Sequence, residues 1–188
     1  MDVFDALVTR ASAKTYGDTA PSPEHLAQVL QAAVRAPDHG RLRPWRFMVI
    51  EGEQRRKLGE LMAAAAKRRI PALSDGDLQR ERDKALRAPA IILTICRPVP
   101  GTKVPDIEQL MAVGAATQNI LLALHALGYA AAWKTGEPAY DAGVKQGLGL
   151  SADDHIVGFV YAGGGSGATF APGKPASLQD TLLNFPAG

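Results

Sequence analysis

Apolar residues along this chain follow two spacings, and the spacing assigns most of its elements. Phe4, Leu7 and Val8 give a short first helix over residues 2–10. Leu26, Val29, Leu30, Ala33 and Val34 recur every three or four positions behind Ser22-Pro23. There, serine caps the helix and proline sits at the first helical position, where its missing N–H costs nothing. Pro37 ends this second helix. Leu58, Leu61, Met62 and Ala65 line one face of a third over residues 53–69, broken by Pro71. Residues 77–87 are charged enough for a surface helix, led in by a mobile SDGD stretch; residues 74–84 are a candidate lid.

The stretch 45–51 is apolar at nearly every position, which predicts a strand buried on both faces. Residues 90–96, 129–134 and 156–162 read as further strands, with a short helix over 141–148. The longest apolar run covers residues 106–127 and stops at Gly128, the place of a C-terminal glycine cap. It is apolar almost all round and rich in small residues: Ala112, Gly114, Ala115, Ala116 and Ala123. Such a helix needs more cover than one chain of this size provides, so it predicts a homo-oligomer. Residues 110–128 approach the length of a membrane span, but Gln118, Asn119 and His125 interrupt them. A helix buried in protein is expected, with no membrane partner. After a Gly/Pro-rich connection, the large apolar residues Leu178, Leu182, Leu183 and Phe185 predict that the extension over 163–188 docks, a partner subunit being one candidate surface. Helices and strands mix without regular βα alternation, which favours an α+β fold.

At 188 residues the chain accommodates one domain, residues 1–188. Its net charge of +2, with no basic stripe, argues against nucleic acid as a partner. Cys96 is the only cysteine, so no internal disulfide forms and no zinc-ligand spacing exists; a core thiol is expected, and no metal site. The opening MDVFDALVTR is too short and too charged for a signal peptide, so the expected compartment is the cytoplasm. GxGxxG, GxxxxGK[ST], GxSxG and HExxH are all absent.

Against this background one loop stands apart. RAPDHGRLRPW, residues 35–45, packs three arginines, a histidine, an aspartate, two prolines and a glycine into one connection. A stiff cationic loop of this kind suits an anionic ligand. Within it, Arg35 and His39 flank a Pro-Asp turn; each also has a structural explanation, as a helix-terminal cation and an exposed ring. Arg10, Ser12 and Lys14 alternate along an extended segment and would project phosphate donors to one side; equally, they could be cations favoured by the end of helix one. Trp133, Lys134, Thr135 and Gly136 close a strand, a favoured place for ligand contacts, although a tryptophan there is commonly core.

Taken in order, RASAK at 10–14, RAPDHGRLRPWRFMVIEG at 35–52, KVP at 103–105, LGYAAAWKTG at 127–136 and DHIVGFVYAG at 154–163 resemble the FMN-dependent nitroreductase family, in particular its short, minimal members. The resemblance implies a mixed central sheet flanked by helices, in an intertwined homodimer holding FMN at its interface. It implies that Arg10 and Ser12, with Ala11 between them, hold the FMN phosphate and ribityl end, and that Lys14 lies beside the flavin. Arg35 and His39 would reach the same flavin from the other subunit, and Trp133, Lys134 and Thr135 would line it from the strand end. Ala11 stands where relatives often carry a second arginine, and Lys134 replaces an arginine fork with a point charge. The implied activity is ping-pong transfer of hydride from NAD(P)H to small electron-poor acceptors such as nitroaromatics or quinones, with no catalytic side chain required. A flavin-binding or sensing homodimer without turnover is the alternative.

Overall fold

The computed structural model of the chain describes residues 1–165, 169–170 and 181–182. Its centre is a four-stranded sheet of β2 (Trp45–Glu51), β3 (Ala90–Cys96), β4 (Ala130–Lys134) and β5 (His155–Gly163), in the order β2-β3-β5-β4. Every pairing in it is antiparallel. This corrects the mixed sheet implied by resemblance, as far as the described residues go. The reason lies in the order: β3 and β4 run parallel to each other, but β5 inserts between them and pairs with both. A small second sheet joins β1 (Ala13–Thr15) to β6 (Thr169–Phe170), also antiparallel. Beside it, Thr19 bridges to Gly164.

Helices cover both faces. On one lie α2 (Pro23–Ala33) and α5 (Asp106–Ala126); on the other lie α3 (Gln54–Arg69), α4 (Asp75–Lys84) and α6 (Ala142–Gly147). Strand alternation divides the core accordingly. Ile92, Cys96 and Val160 pack with Val29, Val113, Ile120 and Leu124. Ile91, Leu93, Phe159 and Tyr161 pack with Leu58 and Met62. Cys96 is a buried thiol, pushed up to about 11 mainly by desolvation, so it is held neutral and inert.

Local chemistry sets the helix ends. Ser22 accepts from His25 N–H at 3.2 Å with Pro23 at the first helical position. Gly128 has φ +83°, the left-handed cap expected of it. Ser74 and Asp77 form a reciprocal capping box, so α4 starts at Asp75 rather than at 77, and SDGD is its ordered first turn rather than a mobile lead-in. This helix lies close on α3: a Cβ at Gly59 would come 2.7 Å from the Arg82 carbonyl oxygen, and Arg82 Nε donates to Glu60 at 2.8 Å.

Two expectations change. Among the described residues β2 is an edge strand, with Arg46 exposed and Phe47, Met48 and Val49 half-buried, not buried on both faces. The first helix, α1 (Val3–Thr9), buries only Ala6; Phe4 is 74% exposed and Leu7 and Val8 are exposed too. As expected of a helix that one chain does not fully cover, α5 buries one side only, leaving Ile107 and Met111 exposed. The apolar end over 171–188, apart from residues 181–182, lies outside the described residues, and with it the expectation that it docks.

Asp154 ties the loop before β5 to the end of β3. It is fully buried, accepts from Arg97 Nε at 2.8 Å and Nη2 at 2.7 Å, and accepts from Ser151 N–H at 3.0 Å. The Arg97 guanidinium, outweighing burial and aided by Ser151, holds this carboxyl at about 2 against an ordinary 3.8. A carboxyl held low stabilises the fold above its unfolded-state value, and that stability drains away as pH falls through the folded value. Asp154→Asn is therefore expected to flatten the loss of thermal stability between about pH 4 and 2, measured by Tm against pH. An unchanged acid limb would show that the pair contributes nothing there.

Candidate functional site

A cleft of about 660 Å³ opens on the α3 face of the sheet, within the size range of small-molecule sites. Its walls come from five parts of the chain. β1 and the residue after it bring Ala13, Lys14 and Tyr16; α3 brings Met62, Ala65, Ala66 and Arg69; the end of α4 and its exit bring Glu81, Lys84 and Arg87; the exit of β4 brings Lys134 through Pro138. Tyr161 of β5 contributes from the sheet itself. Gly136 makes the β4 exit possible: at φ +85° and ψ −179° it occupies backbone space that side chains deny to other residues.

Of the residues singled out from sequence, the fold brings Lys14, Lys134 and Thr135 together in this cleft. Trp133 is not among them. Neighbours in a strand point to opposite faces, so Trp133 turns toward α5, where Gly114 approaches its ring. β5 carries a bulge at Val157, whose carbonyl accepts from the Trp133 indole N–H at 3.0 Å, and the indole lies over Gly158. Arg10 caps α1, its N–H donating to the Ala6 carbonyl at 3.1 Å, and its charge, after burial, helps hold His125 below the ordinary histidine range. Ala11 is half-buried and Ser12 exposed; neither lines the cleft.

The loop over 35–45 sits elsewhere, against the start of α5. Arg35 is exposed, and His39 Nδ1 pairs with Glu108 Oε2 at 2.6 Å. Gly40 is followed by two non-glycine residues in left-handed backbone, Arg41 (φ 54°) and Arg43 (φ 51°). Each costs about 1 kcal/mol or more, a strain that loops with binding roles commonly carry. Asp38 Oδ2 compensates in part by accepting from Arg43 N–H at 2.7 Å.

Sequence reasoning missed Tyr16, Arg69, Lys84, Arg87 and Tyr161. Tyr16 was within reach, because it continues the alternation of Ser12 and Lys14. The cleft is electrically lopsided: Lys14, Arg69, Lys84, Arg87 and Lys134 face only Glu81 and Glu137. Lys84 pairs with Glu81 at 2.6 Å and Arg69 with Glu137 at 3.9 Å, while Lys14, Arg87 and Lys134 make no ion pair among the described residues. Tyr161 is pushed up to about 12, chiefly by burial, with Arg87 opposing and Tyr16 adding to the rise. Its hydroxyl therefore stays protonated at any physiological pH, available as a donor.

Residues 7–164 match the model of the Nitroreductase family. The chain is 36% identical to YdjA of Escherichia coli (strain K12), provisionally named an NAD(P)H nitroreductase, over 99% of this chain and 95% of that one. A similarly named protein of Haemophilus influenzae is 34% identical over 88% of this chain and 89% of its own. In structure, a nitroreductase-like family protein from Bacillus cereus superimposes with a TM-score of 0.84 at 23% identity, covering 100% of this chain and 97% of that chain. A protein of Desulfovibrio desulfuricans solved in complex with FMN superimposes with a TM-score of 0.77 at 26% identity, covering 100% and 99%. A family pattern running through most of the sequence, carried on the fold of solved relatives, makes this chain a member of the nitroreductase family.

Proposed function

We propose that this protein is an FMN-dependent oxidoreductase that takes hydride from NAD(P)H and reduces small electron-poor acceptors such as nitroaromatics or quinones, working as a homodimer in the cytoplasm. One observation carries the reading: β1 and the exit of β4, far apart in sequence, deliver Lys14, Lys134 and Thr135 to one cleft in a chain of this family. The lining suits a flavin. Met62, Ala65 and Ala66 offer an apolar wall for a flat ring system and keep water from it, while the ammonium groups of Lys14 and Lys134 can neutralise a negatively charged edge. When bound, FMN supplies the two-electron relay between nucleotide and acceptor. Arg10 and Ser12, with Ala11 between, would hold its phosphate end, and Trp133 would support the β4 exit from behind.

The dimer reading rests on exposed apolar surface. Met1, Val3, Phe4 and Val8 of the first helix region, and Ile107 and Met111 at the start of α5, are all exposed, apolar surface that a second copy would cover. Arg35 and His39 lie on the α5 side, outside the cleft of their own chain, as donors reaching a partner's flavin would.

Purified protein is expected to be yellow, to bleach with NADPH under anaerobic conditions, and to recover colour when nitrofurazone is added. Colour without bleaching would favour the flavin-storing or sensing alternative, and no colour after FMN titration would end the flavin reading. Arg35→Ala is expected to lower retained FMN while the dimer persists on gel filtration; unchanged flavin content would show that the 35–45 loop does not serve the cofactor.

A further inference from the structure

The far wall of the cleft holds a group of side chains that the cofactor assignments leave unused. Tyr161 is 5% exposed and lines the cleft, yet its hydroxyl bonds to no described residue. Among the described residues, the fully enclosed side-chain polar atom lacking a partner is Glu51 Oε1, and the Tyr161 hydroxyl is not such an atom. Tyr16 stacks on it with ring centroids 6.0 Å apart and planes at 29°, and it too has no described hydrogen-bond partner. Arg87 is exposed, makes no described ion pair, and acts electrostatically on both tyrosines. Arg69 of α3 and Lys84 of α4 line the same cleft.

Each of these groups asks for the same kind of partner. A nearly buried hydroxyl without an acceptor is uncommon in folded proteins and points to a ligand or water that completes it. A guanidinium beside it favours an anion, held by charge-assisted hydrogen bonds about twice as strong as neutral ones. A neutral nitroarene or quinone would satisfy the hydroxyls alone; a carboxylate would satisfy hydroxyls and guanidinium together. Lys14 and Lys134 already answer the cofactor's charge, so the positive charge of this wall is left for another ligand.

We propose, resting on the oxidoreductase reading above, that Tyr161, Tyr16 and Arg87 form a subsite for the carboxylate of an aromatic electron acceptor, so that the enzyme prefers nitroaromatic or quinoid acids to their neutral counterparts. The tyrosine hydroxyls donate to the carboxylate oxygens and Arg87 supplies the countercharge. No covalent step occurs at the subsite; it places the acceptor and sets its class.

The test compares 4-nitrobenzoate with 4-nitrobenzamide, which share size and nitro group but differ in charge, on the FMN-loaded protein. The expected result is a kcat/KM ratio of about tenfold in favour of the carboxylate, the size of one hydrogen bond to a charged group. Arg87→Ala, an exposed position that leaves packing intact, is expected to bring that ratio close to one, and Arg87→Lys to restore part of it. Tyr161→Phe, which keeps the ring, is expected to lower the ratio too. As a readout without turnover, benzoate should quench the bound flavin's fluorescence at about tenfold lower concentration than benzamide, with the difference lost in Arg87→Ala. Equal ratios for the two acceptors would overturn the subsite. So would an Arg87→Ala protein that is slower only in bleaching by NADPH, since these cations would then serve the nucleotide's phosphates. Protein that binds no flavin overturns both this subsite and the oxidoreductase reading, whereas protein that bleaches and recovers without preferring the acid overturns the subsite alone.

Discussion

Replacing Phe159 by alanine is expected to lower the free energy of unfolding by about 4 kcal/mol, a large share of the roughly 5–15 kcal/mol typical of one domain. Phe159 is 1% exposed at the centre of β5, in the cluster that joins the sheet to α3 through Leu58 and Met62. Its removal loses the transfer energy of the ring and leaves a cavity that two paired strands cannot collapse, because Leu93 and Lys134 stand in register on either side. The same register links stability to the site, since Lys134 is a cleft residue. Urea titration should show a lower midpoint with an unchanged slope. A loss below about 1 kcal/mol would mean that this face of the sheet is not closely packed.

Gly17→Val is the second large expected effect. Gly17 follows Tyr16 where the chain passes against Gly163 and Gly164. A Cβ at Gly17 would overlap the Gly164 carbonyl, coming 2.5 Å from its carbon, and a Cβ at Gly163 would come 2.5 Å from the Gly17 oxygen. Backbone on both sides cannot step aside as a side chain would, so a cost of about 3 kcal/mol is expected, at the upper end for overpacking. The strain would fall on β1, moving Lys14 and Tyr16, so retained FMN should drop even at temperatures where the variant remains folded. Gly158→Ala provides the contrast. There the obstacle is the Trp133 indole, a 36% exposed side chain that can shift outward at the cost of its hydrogen bond to the Val157 carbonyl, so the loss should be distinctly smaller. Equal losses in the two variants would mean that the backbone contact at Gly17 carries no special cost.

The anion-selecting wall and these packing predictions meet at one feature, the period of two in a strand. That period places Lys134 in the cleft and Trp133 on the opposite face, although the two adjoin in a segment read as a single unit. It also places Tyr161 in the cleft and Val160 toward α5. Changing which face packs on α3 would exchange one set for the other. The selection therefore belongs to the sheet's packing and not to any motif.

Much was nonetheless readable from sequence. The ends of α2 and α5 are announced by Ser22-Pro23 and Gly128, because caps act over three or four residues and need no distant partner. The start of α4 was equally local, a serine and an aspartate three apart, and was missed only because the glycine between them suggested looseness. Lys14, Lys134 and Thr135 were legible as candidates, and the fold brings them into one cleft, because cations and hydroxyls at the ends of extended segments have few packing roles. Arg69, Lys84, Arg87 and Tyr161 were not: each looks like an ordinary surface cation or core aromatic until α3 and α4 are laid on the sheet.

What the sequence determined by itself was therefore the main helices and sheet strands and the caps of α2 and α5, consequences of short-range sterics and hydrogen bonding, together with the family pattern. What only the tertiary structure decided was the insertion of β5 between β3 and β4, the edge position of β2, and which cations share one cleft. Strand order and facing depend on burying apolar area between residues far apart in the chain, and no local rule encodes that choice.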